Sequence, residues 1–249
     1  MKTKVPQIFQ LSFYKFIKNP WSLIFGIVFP IVWTIIVGKL WGSSQVSGAE
    51  PISVMDFLFP AVIMMMILTF SLSSIPIILT SDRINKRVKQ LSLANVSKHQ
   101  YLFGIALFNY CFFLAIFLIC WIIASSAFNL VASYQMILTV LFWPVIIFSI
   151  HFLIAILISN FSKTNTTAVF ATFVILYFLL LVSGATIPSY IFGDWFKYLQ
   201  YLTPSGCGIL IMTACANELN QTTMFPAYLI LAGYGGVLGY FALKFFSWE

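Results

Sequence analysis

The densest charge in the chain lies in Ser81-Asp82-Arg83-Ile84-Asn85-Lys86-Arg87-Val88-Lys89-Gln90-Leu91-Ser92-Leu93. Ile84, Val88 and Leu91 repeat there at i, i+4, i+7, so a helix would carry a narrow apolar seam. Arg83, Lys86, Arg87 and Lys89 would flank that seam, and Asp82 would sit in the first turn, where the helix dipole favours an acid. The chemistry of such a helix is recognition, because it fits a groove on a partner protein. A cationic loop beside a membrane has the same composition, and the pattern alone does not separate the two.

Other chemistry finds few residues to carry it. His151 is the one titratable group in the middle of a long apolar run, and it reads either as a hydrogen-bonded packing residue or as a relay. Cys111, Cys120, Cys207 and Cys215 show no C-x-x-C pair and no His at zinc-ligand spacing, so no metal site is readable. Cys207 and Cys215 would pair only with Cα atoms within ~7 Å of each other, and free thiols are the expectation. Gly38-Lys39 lacks the upstream Gly and the hydroxyl residue of a phosphate loop. No cofactor is therefore expected in this chain, and without an acid-base pair or a Ser/His/Asp set it does not read as an enzyme.

The elements that must position these residues follow from composition. Of 249 residues, 61% are hydrophobic and only 8% charged. Even a domain of ~300 residues leaves roughly a quarter of its chain surface in water, so this excess excludes a soluble globule. An all-α polytopic membrane protein remains, with six segments long enough to cross ~30 Å of hydrocarbon. They run at about Trp21 to Trp41, Asp56 to Thr80, Tyr101 to Ala124, Tyr134 to Ser159, Thr166 to Ser183 and Pro226 to Trp248. Runs such as Ala61 to Phe70 are apolar at nearly every position, against the alternation of a membrane β-barrel.

Six spans place both termini on one side. That side gathers Lys2, Lys4, Lys15, Lys18, Arg83, Lys86, Arg87, Lys89, Lys98, Lys163 and Lys244, so it is expected to be cytoplasmic. Nucleic acid is not an expected partner. No repeat or linker divides the chain, and residues 1–249 read as a single domain.

Three segments do more than span. In residues 1–20, Lys4, Gln7, Lys15 and Lys18 fall on one arc, with Phe9, Phe13, Phe16 and Ile17 opposite, which suits an interfacial helix along lipid headgroups or a basic tail that sets topology. Residues 81–98 hold the charged segment, and residues 184–225 form an outer region too long for a bare connection. There, Asp194 to Leu202 mixes Trp195, Tyr198 and Tyr201 with Lys197 and Gln200, as a helix at a membrane interface does. Gly235 to Gly239 is a G-x-x-x-G face open to internal packing or to another subunit.

Together the motifs resemble the permease subunits of type-2 ATP-binding-cassette exporters. Lys18-Asn19-Pro20 leading into a span with Phe29-Pro30 is similar to the family's approach to its first helix. Leu91-Ser92-Leu93-Ala94-Asn95-Val96-Ser97-Lys98 resembles the end of its coupling-helix region, although Asn85, Lys86 and Asn95 stand where Glu, Gly and Pro are usual. Most specific are Ser183-Gly184, Pro188, Trp195, Leu199, Leu202 and Pro204, which resemble the run where the fifth helix gives way to an outer re-entrant element.

The resemblance implies a pair of permeases, identical or homologous, each carrying a cytoplasmic ABC ATPase, with ATP and Mg bound on those partner subunits. It implies that Asp82, Arg83, Ile84, Lys86, Arg87, Val88, Lys89 and Leu91 couple to the ATPase, the three apolar residues filling its groove. Cargo would pass along spans two and five, where Thr69, Ser73 and Thr172 are candidate lining; helix packing is the other use of these hydroxyls. An apolar, charge-poor path suits export of antimicrobial or other amphipathic peptides, or of hydrophobic drugs. A surface polysaccharide or lipid-linked glycan exporter is the alternative within the family, and a membrane scaffold or receptor the alternative outside it. The Phe, Ile, Asn and Lys bias suggests a bacterial plasma membrane.

Overall fold

The computed structural model describes residues 4–41, 54–131, 133–187, 192–193, 195–219 and 224–245. Helices fill nearly all of them, with no strand among the described residues. In chain order they are α1 (Val5–Lys18), α2 (Pro20–Leu23), a π-helical turn (Ile24–Val28), α3 (Phe29–Trp41), α4 (Val54–Leu72), α5 (Ile75–Ile84) and α6 (Arg87–Leu93). Then follow α7 (Lys98–Phe128), α8 (Tyr134–Phe161), α9 (Asn165–Ser183), α10 (Trp195–Tyr201), α11 (Pro204–Ala216) and α12 (Phe225–Phe245). Six stretches are long and apolar enough to span a membrane: Ile24–Trp41, Val54–Ile84, Lys98–Phe128, Tyr134–Phe161, Asn165–Ser183 and Phe225–Ala242. These are the six segments expected from the sequence, shifted by a few residues.

α4 is the axis of the bundle. It is apolar around its whole circumference, and a helix of that kind must be buried. Val54 to Leu72 is almost wholly enclosed by α3, α7, α8, α9 and α11. The outer helices instead turn Leu141, Phe142, Phe170, Phe178, Leu181 and Leu229 outward, a surface too apolar for water and suited to lipid chains.

Three prolines shape the first two spans. Pro30 has no N–H to give and crowds the Gly26 carbonyl one turn earlier, and the chain widens into the π turn directly before it. Pro60 likewise cannot bond the Asp56 carbonyl, and Asn217 Nδ2 at the end of α11 donates to it instead at 3.4 Å. Pro76 divides the second span. The expected continuous helix from Asp56 to Thr80 breaks at Ser73-Ser74, because a proline ring at 76 clashes with the Leu72 carbonyl and withholds a bond from it.

α1 lies across the start of α7. Its Ile8 meets Gly104, where any Cβ would stand 2.7 Å from Ile8 Cγ2, and its Phe16 ring packs on Phe112 at 4.4 Å and Phe108 at 5.8 Å. The amphipathic pattern of residues 1–20 therefore marks a helix whose apolar face is shared between the protein and the outside, with Phe13, Tyr14 and Ile17 exposed.

α11 has 13 residues, about 20 Å of helix, which is short of a ~30 Å crossing. Thr203 Oγ1 accepts from Gly206 N at 3.0 Å and starts it, and it lies among α4, α8, α9 and α12 until Asn217 reaches Asp56. It thus begins beside the end of α9 and finishes at the start of α4. Phe161 at the end of α8 and Phe245 at the end of α12 pack at 5.8 Å, so α12 ends beside the charged segment.

Candidate functional site

The sequence places Asp82 in the first turn of a docking helix, and the structure places it in the last turn of α5, 1% exposed. Three elements converge on its carboxylate. Lys15 Nζ of α1 lies 2.5 Å from Oδ2, Tyr101 Oη of α7 donates to Oδ2 at 2.8 Å, and Arg87 at the start of α6 reaches Oδ1 at 3.4 Å.

This explains why the expected single helix with an Ile84, Val88, Leu91 seam does not form. Residues five apart on a continuous helix point about 140° away from each other, so Asp82 and Arg87 could not meet. The chain instead turns at Asn85-Lys86, with Lys86 in the left-handed region at φ 55°, and α6 starts afresh. The seam is split: Ile84 is 42% exposed, Val88 is 3% exposed inside the protein's own core, and Leu91 is partly buried against it. Leu93, 79% exposed, is the apolar side chain α6 offers outward, beside Lys86, Arg87 and Lys89.

Arg83 also turns inward. Its guanidinium donates to the carbonyls of Ser159 at 2.7 Å, Asn160 at 3.3 Å and the capping Ser162, at the C-terminal end of α8 where carbonyls run short of helical N–H partners. A planar fork covers three such acceptors and complements the helix dipole, which a lysine does only in part. Arg83→Met is expected to cost about 2 kcal/mol, read as a fall of about 4–8 °C in the Tm of the detergent-solubilised protein, with Arg83→Lys between it and the wild type.

The hydroxyls proposed to line a path separate. Thr69 Oγ1 bonds back to the Met65 and Met66 carbonyls at 3.0 and 2.9 Å, which is a packing role. Thr172 is fully buried, its hydroxyl without a partner among the described residues. Ser73 stands at the helix break and lines a cavity of about 600 Å³ with Asn19, Ser22, Phe25, Phe173 and Tyr177. That cavity opens where spans one, two and five diverge. His151 is buried, its Nδ1 2.7 Å from the Ile147 carbonyl and its Nε2 without a partner among the described residues.

In the outer region, Gly184 ends α9 with φ 80°, and the Gln200 side chain of α10 donates to the Ser183 carbonyl at 2.8 Å. Gly206 of α11 rests directly on the Gln200 backbone. Trp195 starts α10 and is exposed, and Pro204 starts α11 and is buried; Pro188 lies outside the described residues. Cys207 and Cys215 form no disulfide, because eight positions on one helix hold them about 12 Å apart, beyond bridging distance. Gly235 and Gly239 face Ile150 and Leu153 of α8, an internal use, while Gly233 and Gly236 meet nothing.

Sequence reasoning missed Lys4, Lys15, Tyr101, Gln200 and Gly206 as members of these arrangements. Lys4 and Lys15 carried a signal, as cations on the polar face of α1. No curated protein matches the chain. The family model of the ABC-2 type transporter, however, matches residues 4–216, from the first residue of α1's cap through the end of α11. With its six spanning helices, this multi-pass membrane protein belongs to the ABC-2 type transporter family and is a permease component.

Proposed function

We propose that the chain is the membrane-spanning subunit of an ATP-driven exporter that moves amphipathic peptides or hydrophobic drugs out of a bacterial cell through its plasma membrane. The cavity between spans one, two and five carries this reading. Aromatic and aliphatic walls with Asn19, Ser22 and Ser73 as polar points suit a cargo with a long apolar body and few hydrogen-bonding groups. A second permease, identical or homologous, would close the open side of the cavity, and spans two and five would then line the path.

The end that gathers Lys4, Lys15, Lys18, Arg83, Lys86, Arg87 and Lys89 faces the cytoplasm in this reading, by the bias of cations to that side. Each permease there receives one ATPase, two per complex, and ATP and Mg are held by those subunits. Ile84 and Leu93 supply the apolar contacts to the ATPase, Lys86, Arg87 and Lys89 its electrostatic register, while Asp82, Arg83 and Val88 hold the segment from behind.

The test is purification in detergent with untagged neighbouring subunits co-expressed. A co-eluting ATPase whose turnover vanadate blocks supports the exporter; a stable complex containing no ATPase favours a scaffold or receptor instead.

A further inference from the structure

α1 and α6 are fastened to each other at both ends by lysines of the α1 segment. Lys4 Nζ, just ahead of α1, donates to the Ala94 carbonyl that follows the last turn of α6. Lys15, in the last turn of α1, pairs with Asp82, which also receives Arg87 from the first turn of α6. The N-terminal end of α1 is thus tied to the C-terminal end of α6, and the C-terminal end of α1 to the start of α6 through Asp82 of α5. α1 is in addition packed on α7 through Ile8 against Gly104 and Phe16 against Phe108 and Phe112, so α1 and the start of α7 move as one body. α6 joins that body through two polar links and the buried Val88.

Among the described residues Asp82 is the carboxylate that both Lys15 and Arg87 pair with, and no other acid stands between Asp56 and Asp194 in the chain. Asp82 is also shielded from water, and salt screens a buried charge far less than an exposed one.

Resting on the exporter reading above, we propose that Asp82 is a positioning residue of the transport cycle. Its carboxylate locks α6 to the α1–α7 body, so that a push of the ATPase on α6 carries the interfacial helix and the third span with it. Phe13, Tyr14 and Ile17, exposed on α1, then move through the headgroup layer in step with ATP binding.

The experiment places spin labels at Gln10→Cys in α1 and Gln90→Cys in α6, in a Cys111→Ser background, on the complex with its ATPase; a third label at Tyr134→Cys reports from the opposite end. In the wild type the α1–α6 distance is expected to be narrow and to stay narrow with ATP and vanadate, while both labels shift relative to the third. Asp82→Asn is expected to broaden the α1–α6 distribution about twofold without nucleotide, since α6 then loses its charged link and keeps Lys4, Val88 and the partly buried Leu91, and with nucleotide α6 should move alone. Asp82→Glu, which keeps the charge, should restore the narrow distribution.

An Asp82→Asn distribution as narrow as the wild type overturns the proposal. So does an Asp82→Glu protein as broad as Asp82→Asn, because shape and not charge would then be at work. Should ATP and vanadate move neither label in the wild type, the exporter reading falls, while the nucleotide-free comparison still decides whether Asp82 is the lock.

Discussion

Gly206→Ala lowers the Tm of the purified protein by about 6–12 °C, the expected result of about 3 kcal/mol of overpacking in a chain of this size. The added Cβ would stand 2.2 Å from the Gln200 carbonyl oxygen and 2.6 Å from its Cα. These are backbone atoms and cannot swing away as a side-chain tip does. Nor can the end of α10 retreat, because Gln200 is tied through its own amide to the Ser183 carbonyl at 2.8 Å. The strain therefore passes to α9 and α11 together. Gly233→Ala is the control, since a Cβ there meets nothing within 4 Å and helix propensity alone predicts a slight gain. A Gly206→Ala protein that melts with the wild type would show that α10 and α11 do not approach as described.

The largest effect on activity is expected from Ile84→Asp combined with Leu93→Asp. Both side chains are exposed, so the permease should insert and melt as the wild type does. Apolar anchors at the centre of an interface cost about 2 kcal/mol each when removed, so ATPase binding should weaken roughly 700-fold, and vanadate-sensitive hydrolysis by the purified complex should fall with it. Val88→Asp is expected to behave differently, because Val88 is inside the permease: it should lower the Tm and the yield of inserted protein. A double variant that keeps its ATPase in stoichiometric amount moves the docking surface away from residues 84–93. The contrast between Leu93 and Val88 thus tests the split of the charged segment itself.

That split also shows where sequence reading stops. The six spans were legible because a stretch of about 20 apolar residues has one stable solution in lipid. α1 was legible because its polar and apolar arcs oppose each other on a helical wheel. Val88 and Leu93 could not be told apart, since an apolar residue in a cationic segment looks the same whether it faces its own core or a partner. The orientation was decided by Asp82, whose partners Lys15 and Tyr101 come from other helices. Asp56 to Thr80 read as one span because the apolar run continues on both sides of Pro76, which ends a helix there. The outer motif of Ser183-Gly184 and Pro204 was readable, but the residue that joins its two halves, Gln200, has no local pattern and acts across 17 positions.

The two lysine links also set an order of assembly. Lys15 waits for a carboxylate 67 positions downstream, and Lys4 for a carbonyl 90 positions downstream. At about 5–20 residues per second of synthesis, the N-terminal helix exists for roughly 5–20 seconds before its seat is made. During that interval its aromatic face has no Phe108 or Phe112 to pack on, and a bilayer surface is a medium that suits such an amphipathic helix. Slowing translation between residues 20 and 104 should lengthen that wait without changing the final fold, whereas removing the exposed aromatics Phe13 and Tyr14 should leave the nascent helix in the aqueous phase, open to chaperones and proteases.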